Sequence, residues 1–276
     1  MPSRTPRRGR RARGAGGAVA FCAVLFVAGC APALPSLAGG STTPAHRRDV
    51  GLGGSARVPF GQLRPRAGRA DHTGAAPTNG VDELAARYEE AALAGGIVPV
   101  ASARVGLPHH LDLGVLASGT MAQLSLRWER VLRDGVTQPR WVIGLAPYGG
   151  ALVGAREADR GARDRDRAGR AGVVGVEVPV LYAVDFGSSY ELWAGPRLGA
   201  EYLRGRFTAG EAERARASAW TLRAGAVLGV GIGLRGLHVL AELTAAYERW
   251  RGRQGDAGIT RQGLVLIPAA ALRVRF

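Results

Sequence analysis

The sequence predicts an all-β chain folded as one up-and-down barrel of about ten antiparallel strands, and three observations carry the expectation. Residues 218–234 alternate almost without fault. Trp220, Leu222, Ala224, Ala226, Leu228, Val230, Ile232 and Leu234 are apolar, while Thr221, Arg223, Gly225, Gly229, Gly231 and Gly233 between them are small or charged. A period of two puts the first set on one face of a strand and the second on the other. The C-terminal stretch repeats the pattern: Leu264, Leu266, Pro268, Ala270, Leu272, Val274 and Phe276 share one phase, Arg261, Gly263, Arg273 and Arg275 the other. Connections between such stretches also alternate short and long, as hairpins at the two ends of a barrel do.

Composition sets the bounds. The chain has 276 residues, 46% of them hydrophobic, with 42 glycines and no lysine. Mean hydropathy is +0.00, which excludes a polytopic helical membrane protein. A barrel remains open, because alternation dilutes its apolar residues. The formal charge of +15 bears on solubility and anionic neighbours, not on fold.

Taken in order, residues 1–29 read as a targeting segment. Arg4, Arg7, Arg8, Arg10, Arg11 and Arg13 form a basic n-region, and Ala18 to Val27 a short apolar run. The run falls well below the roughly 20 residues of a spanning helix. Val27-Ala28-Gly29-Cys30 resembles the lipobox of bacterial lipoproteins, which implies acylation of Cys30 and cleavage before it. An ordinary signal peptide cleaved near Ala31-Pro32-Ala33 is the other reading. Cleavage before Cys30 removes Cys22 and six arginines, lowering the formal charge from +15 to +9 and leaving no disulfide. Residues 30–48, rich in Pro, Ala, Gly and Ser, read as a flexible tether to a barrel over 49–276.

Strands are expected at 49–60, 97–106, 111–118, 120–131, 139–153, 172–186, 189–203, 217–234, 237–250 and 260–276. The connection 61–96 holds one helical stretch, with Val81, Leu84, Ala85, Tyr88, Ala91 and Ala92 at helical spacing after Asn79 as N-cap. The connections 61–96, 154–171, 204–216 and 251–259 are long; 107–110, 132–138, 187–188 and 235–236 are short. The division near Ser118-Gly119 is the weakest, and eight strands would follow if 49–60 were not a strand and two others merged.

Long alternating strands ending on an aromatic residue resemble the outer-membrane β-barrel proteins of Gram-negative bacteria. That resemblance implies a transmembrane barrel with both termini on the periplasmic side, which requires an even strand number. Its partners would be outer-membrane lipids and, through Phe276, the barrel-assembly machinery. Trp128, Trp141, Tyr182, Tyr190, Tyr202, Trp220, Tyr247 and Phe276 would lie on the lipid face. The same alternation also serves a lipid-tethered periplasmic barrel or sandwich whose apolar face turns inward around a hydrophobic ligand.

The non-apolar phase supplies the candidate site. Arg127, Glu129, Arg140, Glu177, Glu191, Arg197, Arg223, Glu242 and Arg273 would face the lumen, together with Arg57, Arg104, Asp112, Asp185, Glu201, His238, Glu248 and Arg275. Mixed signs favour a mutually neutralising plug over a pore lined by one sign. No enzyme is expected. Outer-membrane lipid A deacylases, on comparable barrels, need a His and Ser together on an outer surface, but His238 falls in the lumen phase and Leu240 follows two on. Omptin-like proteases pair Asp and His near the rim, where this chain offers Glu201 and Glu248 without a histidine. His109-His110 before Asp112 reads as a surface turn, not a metal site, and Glu89-Glu90 as a solvated helix face. The Gly-rich runs lack a phosphate-loop context, so neither cofactor nor nucleic acid is expected. The charged run from Ala155 to Arg170 reads as a solvated outer loop, or more sharply as a contact for lipopolysaccharide phosphates.

Overall fold

The computed structural model describes residues 34, 35, 37, 39–64, 93, 95–153, 170–187, 189–209, 213–234, 236–254 and 257–276. Ten antiparallel strands follow one another: β1 (Arg48–Pro59), β2 (Gly96–Leu107), β3 (Leu111–Ser118), β4 (Met121–Val131), β5 (Thr137–Val153), β6 (Arg170–Phe186), β7 (Tyr190–Ala209), β8 (Glu213–Leu234), β9 (Leu237–Gln254) and β10 (Ala257–Arg275). Each pairs with its neighbour in sequence, and β1 pairs with β10 to close the barrel. At the seam the Arg48 and Phe276 backbones exchange hydrogen bonds of 2.9 and 3.0 Å. Closure leaves no unpaired edge.

The register follows the apolar phase. Leu222 and Leu228 on β8 are 59% and 62% exposed, whereas Arg197 and Glu177 are each 1% exposed. Apolar side chains thus point out of the barrel and charged ones into it. The inward-apolar arrangement of a soluble ligand-binding barrel is not the one that forms. The β-ladder breaks beside Pro147, Pro179, Pro196 and Pro268, where Cα pairing skips two residues on each strand. Proline brings no N–H to a ladder, so each gap falls where a bond cannot form.

At the rim of the two termini the connections are short. Pro108 to His110 join β2 to β3 with His109 and His110 at φ of 62° and 58°. Two successive left-handed residues make the tight turn that matches strand twist, and histidine tolerates that region better than most side chains. At the opposite rim Gly119, at φ 57°, turns β3 into β4, so the weakest expected division is a genuine hairpin.

Two expectations are corrected at that opposite rim. Residues 204–216 and 251–259 are mostly strand: only 210–212 separate β7 from β8, and only 255–256 separate β9 from β10. Arginine on the outward phase, where lower on the wall the residues are apolar, hides the alternation there, while cross-strand pairing with a long partner continues the ladder. The expected helix over 81–92 and the run 155–169 lie outside the described residues, as do Cys30 and the targeting segment. Leu63, on a 3-10 turn (Gly61–Leu63), and Leu93 are buried at this end of the lumen. Arg57 Nη1 donates to the Leu93 carbonyl at 2.6 Å.

A third correction concerns the expected tether. Its described part is not in solution but inside the barrel: Leu34, Leu37, Ser41, Thr42 and Thr43 are all buried. From Arg48 the chain runs backward into the lumen, with Ala45 bridged to Gly106 at the rim and Leu34 deepest. A Cβ at Gly106 would lie 1.9 Å from the Pro44 carbonyl oxygen, so only glycine admits this passage.

Candidate functional site

The lumen carries two storeys of ion pairs. The storey further from the termini is a belt spanning β1, β6, β7, β8 and β9. Arg57 meets Glu248 at 2.5 Å, Arg223 Nε meets the same carboxylate at 2.6 Å, and Arg223 Nη1 reaches Glu177 at 3.0 Å. Arg197 pairs with the other Glu177 oxygen and donates to Thr244 Oγ1 at 3.3 Å. Gln123 Nε2 also donates to Glu177 at 3.3 Å. Each carboxylate is held by two guanidinium groups, which offsets the cost of taking it out of water.

The storey nearer the termini holds separate pairs. Arg127 forks onto Asp112, with Nε to Oδ1 at 2.9 Å, and Arg104 lies 3.8 Å from the same carboxylate. Arg140 bridges Glu129 at 2.9 Å and Asp185 at 2.6 Å. Arg273 meets Glu191 at 2.8 Å, and Arg275 grips Asp49 at 2.9 and 3.0 Å. A cavity of about 200 Å³ opens beside these pairs, lined by Ser41, Asp185, Tyr190, Glu191, His238 and Arg273 among others.

The N-terminal segment is bound in this storey through its backbone. Thr42 N–H donates to Glu129 at 2.6 Å and Thr43 N–H to Asp112 at 2.9 Å. Arg127 donates to the carbonyls of Gly39 at 3.3 Å and Ser41 at 3.0 Å. Thr43 Oγ1 and Ser41 Oγ add bonds to Asp49 and Glu191. Deeper still, one Arg197 nitrogen bonds both the Leu34 carbonyl and Glu177, tying the segment to the belt.

All nine residues expected to form the charge network, Arg127, Glu129, Arg140, Glu177, Glu191, Arg197, Arg223, Glu242 and Arg273, are buried in the lumen. The structure divides them between the storeys, with Glu242 accepting from Trp193 Nε1 at 3.4 Å between the two. Both rim acids are engaged: Glu201 accepts the Tyr148 hydroxyl at 2.8 Å, and Glu248 is clasped by Arg57 and Arg223. His238 lies in the lumen, its Nδ1 buried without a hydrogen-bond partner among the described residues. Among the described residues no three His, Cys, Asp or Glu gather in a way that could hold a metal.

Sequence reasoning missed the aromatics of the polar phase. Trp193 and Trp250 are 1% and 3% exposed inside the lumen. A signal did exist, since glycine faces each of them. A Cβ at Gly229 would lie 2.0 Å from Trp193 Cε2, and one at Gly252 would lie 2.1 Å from Trp250 Cη2. Large beside small, across neighbouring strands for Trp193 and two residues along β9 for Trp250, fills a narrow barrel.

Fold and site together define a closed ten-strand antiparallel barrel with an apolar exterior and a charged, filled interior. Among solved structures the chain is similar to the outer membrane protease OmpT from Escherichia coli, at 9% identity and TM-score 0.40, over 83% of this chain and 96% of that one. It is also similar to Neisserial surface protein A (NspA), at 12% identity and TM-score 0.28, again over 83% of this chain and 96% of that one. No protein-family profile and no curated protein matches it.

Proposed function

We propose that this chain is an outer-membrane barrel with a closed lumen, serving a structural or surface-interaction role and performing no catalysis. The inverted polarity carries the reading: a band of exposed Leu, Val, Ile, Trp and Tyr surrounds an interior of paired charges. Water does not favour such an exterior, whereas hydrocarbon does, and a closed ladder satisfies every strand edge within it. Trp141 with Tyr182 and Tyr202 with Trp220 are outward aromatic contacts, at 5.3 and 4.6 Å between centroids, of the kind that mark membrane interfaces. Phe276, 57% exposed at the seam, remains available to the assembly machinery.

The test is heat modifiability of the detergent-extracted outer-membrane fraction, followed by planar-bilayer recording. The expected result is a faster-migrating unboiled band and no steady conductance, because the belt and the N-terminal segment block the lumen in series. A soluble protein with no shift would sink the membrane reading; a steady open conductance would sink the closed lumen.

The seat of Leu34 favours cleavage after Ala33 over acylation of Cys30. Its carbonyl is held by Arg197, seven residues along β7 from the rim residue Tyr190. At about 3.3 Å per residue and a tilt near 40°, that level is roughly 17 Å from the rim. Four residues reach at most about 14 Å, so an acylated Cys30 would not reach either leaflet while the segment stays seated. Intact-mass measurement of the purified protein is expected to show a mature chain beginning at Leu34 with no acyl groups. An acylated Cys30 at the N-terminus would overturn this.

A further inference from the structure

The cavity of about 200 Å³ is a recess at the rim of the two termini, and its lining is chemically uneven. Segment 39–43 is held on one side of the lumen by Asp112, Arg127 and Glu129 of β3 and β4. The recess lies between Ser41 of that segment and the inner wall of β6, β7, β9 and β10, and it reaches the rim at Gly236, where β8 turns into β9. Glycine on β8 admits the wall's side chains. A Cβ at Gly231 would lie 2.5 Å from Glu191 Cγ, and one at Gly233 would lie 2.4 Å from His238 Cδ2. Both side chains therefore rest over bare backbone. The belt and the segment shut the lumen behind, so the recess is a dead end and not a passage.

One end of the recess is rich in donors. His238 on β9 and Arg273 on β10 stand opposite each other in the register and are only 8% and 4% exposed. Arg273 gives Nη2 to Glu191 at 2.8 Å, yet its Nε and the Nδ1 of His238 are buried with no hydrogen-bond partner among the described residues. A buried N–H left in that state is costly, and an acceptor placed beside it recovers the cost. A neutral imidazole can carry its proton on Nδ1 and donate there. The other end is rich in charge of the opposite sign. Asp185 on β6 shares the Arg140 guanidinium with Glu129, two carboxylates on one cation, and its side chain is 24% exposed. That end favours a cationic donor. A ligand with only one kind of group would leave the other end unmet. We propose that the recess binds a free α-amino acid, its carboxylate on Arg273 Nε and His238 Nδ1 and its ammonium on Asp185. The volume equals that of about seven waters at ~30 Å³ each in the liquid, the size of a small amino acid. The site goes beyond the barrel's structural role and needs only the closed ring, not the surrounding membrane.

The experiment uses the full mature barrel in detergent. Binding of radiolabelled L-alanine is measured by equilibrium dialysis for the wild type, for Asp185→Asn and for His238→Leu. Propionate and ethylamine, which each keep one charged end, serve as competitors. The expected result is saturable binding of one alanine per barrel at millimolar concentration. Asp185→Asn should weaken it at least about tenfold, the loss of one charge-assisted bond, and His238→Leu about fivefold, the loss of a neutral one. Neither half-ligand should displace alanine at equal concentration. An absence of saturable binding overturns the proposal and leaves the recess to water alone; unchanged affinity in either variant overturns it too. Displacement by propionate would make the recess a simple carboxylate site, and displacement by ethylamine a simple cation site; either result overturns the zwitterion. The heat-dependent gel shift reports that each barrel has folded. Where a variant fails to fold, the half-ligand comparison on the wild type still decides. Alanine binding by a wild type without the shift would count against the membrane reading alone.

Discussion

Glu177→Gln is expected to destabilise the barrel by about 3–5 kcal/mol, the cost of removing one partner from a buried ion pair. Glu177 is 1% exposed and, among the described residues, is the one carboxylate paired with Arg197, while it also takes Arg223 and Gln123. The amide leaves the Arg197 guanidinium buried against Thr244 and the Leu34 carbonyl alone. The measurement is the temperature at which the unboiled band converts to the boiled one, with a denaturant midpoint as a second readout. Adding Arg197→Met should restore much of the loss, because removing both members of a buried pair is often neutral. A Glu177→Gln barrel as stable as the wild type would show that the belt does not contribute as its geometry implies.

Gly229→Leu should be still more disruptive and should block assembly. Even the first carbon of a side chain at this position would stand 2.0 Å from the Trp193 ring, which is 1% exposed and walled in by the lumen. Backbone pairing of Gly229 with Trp193 across β7 and β8 leaves the ring no direction in which to yield. Overpacking of this kind costs about 1–3 kcal/mol when neighbours can shift and more when they cannot. Combining Gly229→Leu with Trp193→Ala should recover folded, heat-modifiable barrel. Gly229→Leu alone giving a normal yield of folded protein would show that the pair does not interlock.

These predictions draw on features the sequence displayed unequally. The outward and inward phases were legible because a strand has a strict period of two and one face must be apolar. Hence the nine network residues could be placed on one side of the sheet, and the strand number followed from the turns. Their partners could not be read, since pairing depends on barrel shear and side-chain reach. Arg197 meets Glu177 from the adjacent strand, but Arg57 meets Glu248 across the seam between the two ends of the chain.

The upper ends of β7 to β10 were hidden for a different reason. Arg249, Arg251 and Arg253 occupy an outward phase that lower on the wall is apolar, so the pattern that marks a membrane strand stops where the strand itself continues. Residues 39–43 were illegible in a third way. Gly39, Ser41, Thr42 and Thr43 bind through peptide groups, and a stretch that offers its backbone to fixed carboxylates and guanidiniums needs no side-chain periodicity.

The enclosed N-terminal segment constrains biogenesis. A ring that closes by joining its first strand to its last leaves no side entrance, so the segment is either enclosed as the ring closes or threaded in afterwards through the rim beside Arg48. Residues 39–43, synthesised before every strand, are thus among the last to be sealed in place. A bulky domain fused ahead of Leu34 would have to be swallowed by the closing ring or would pull the segment out. The carboxyl end at the seam sets the moment of sealing, so the two ends of the polypeptide act as one latch.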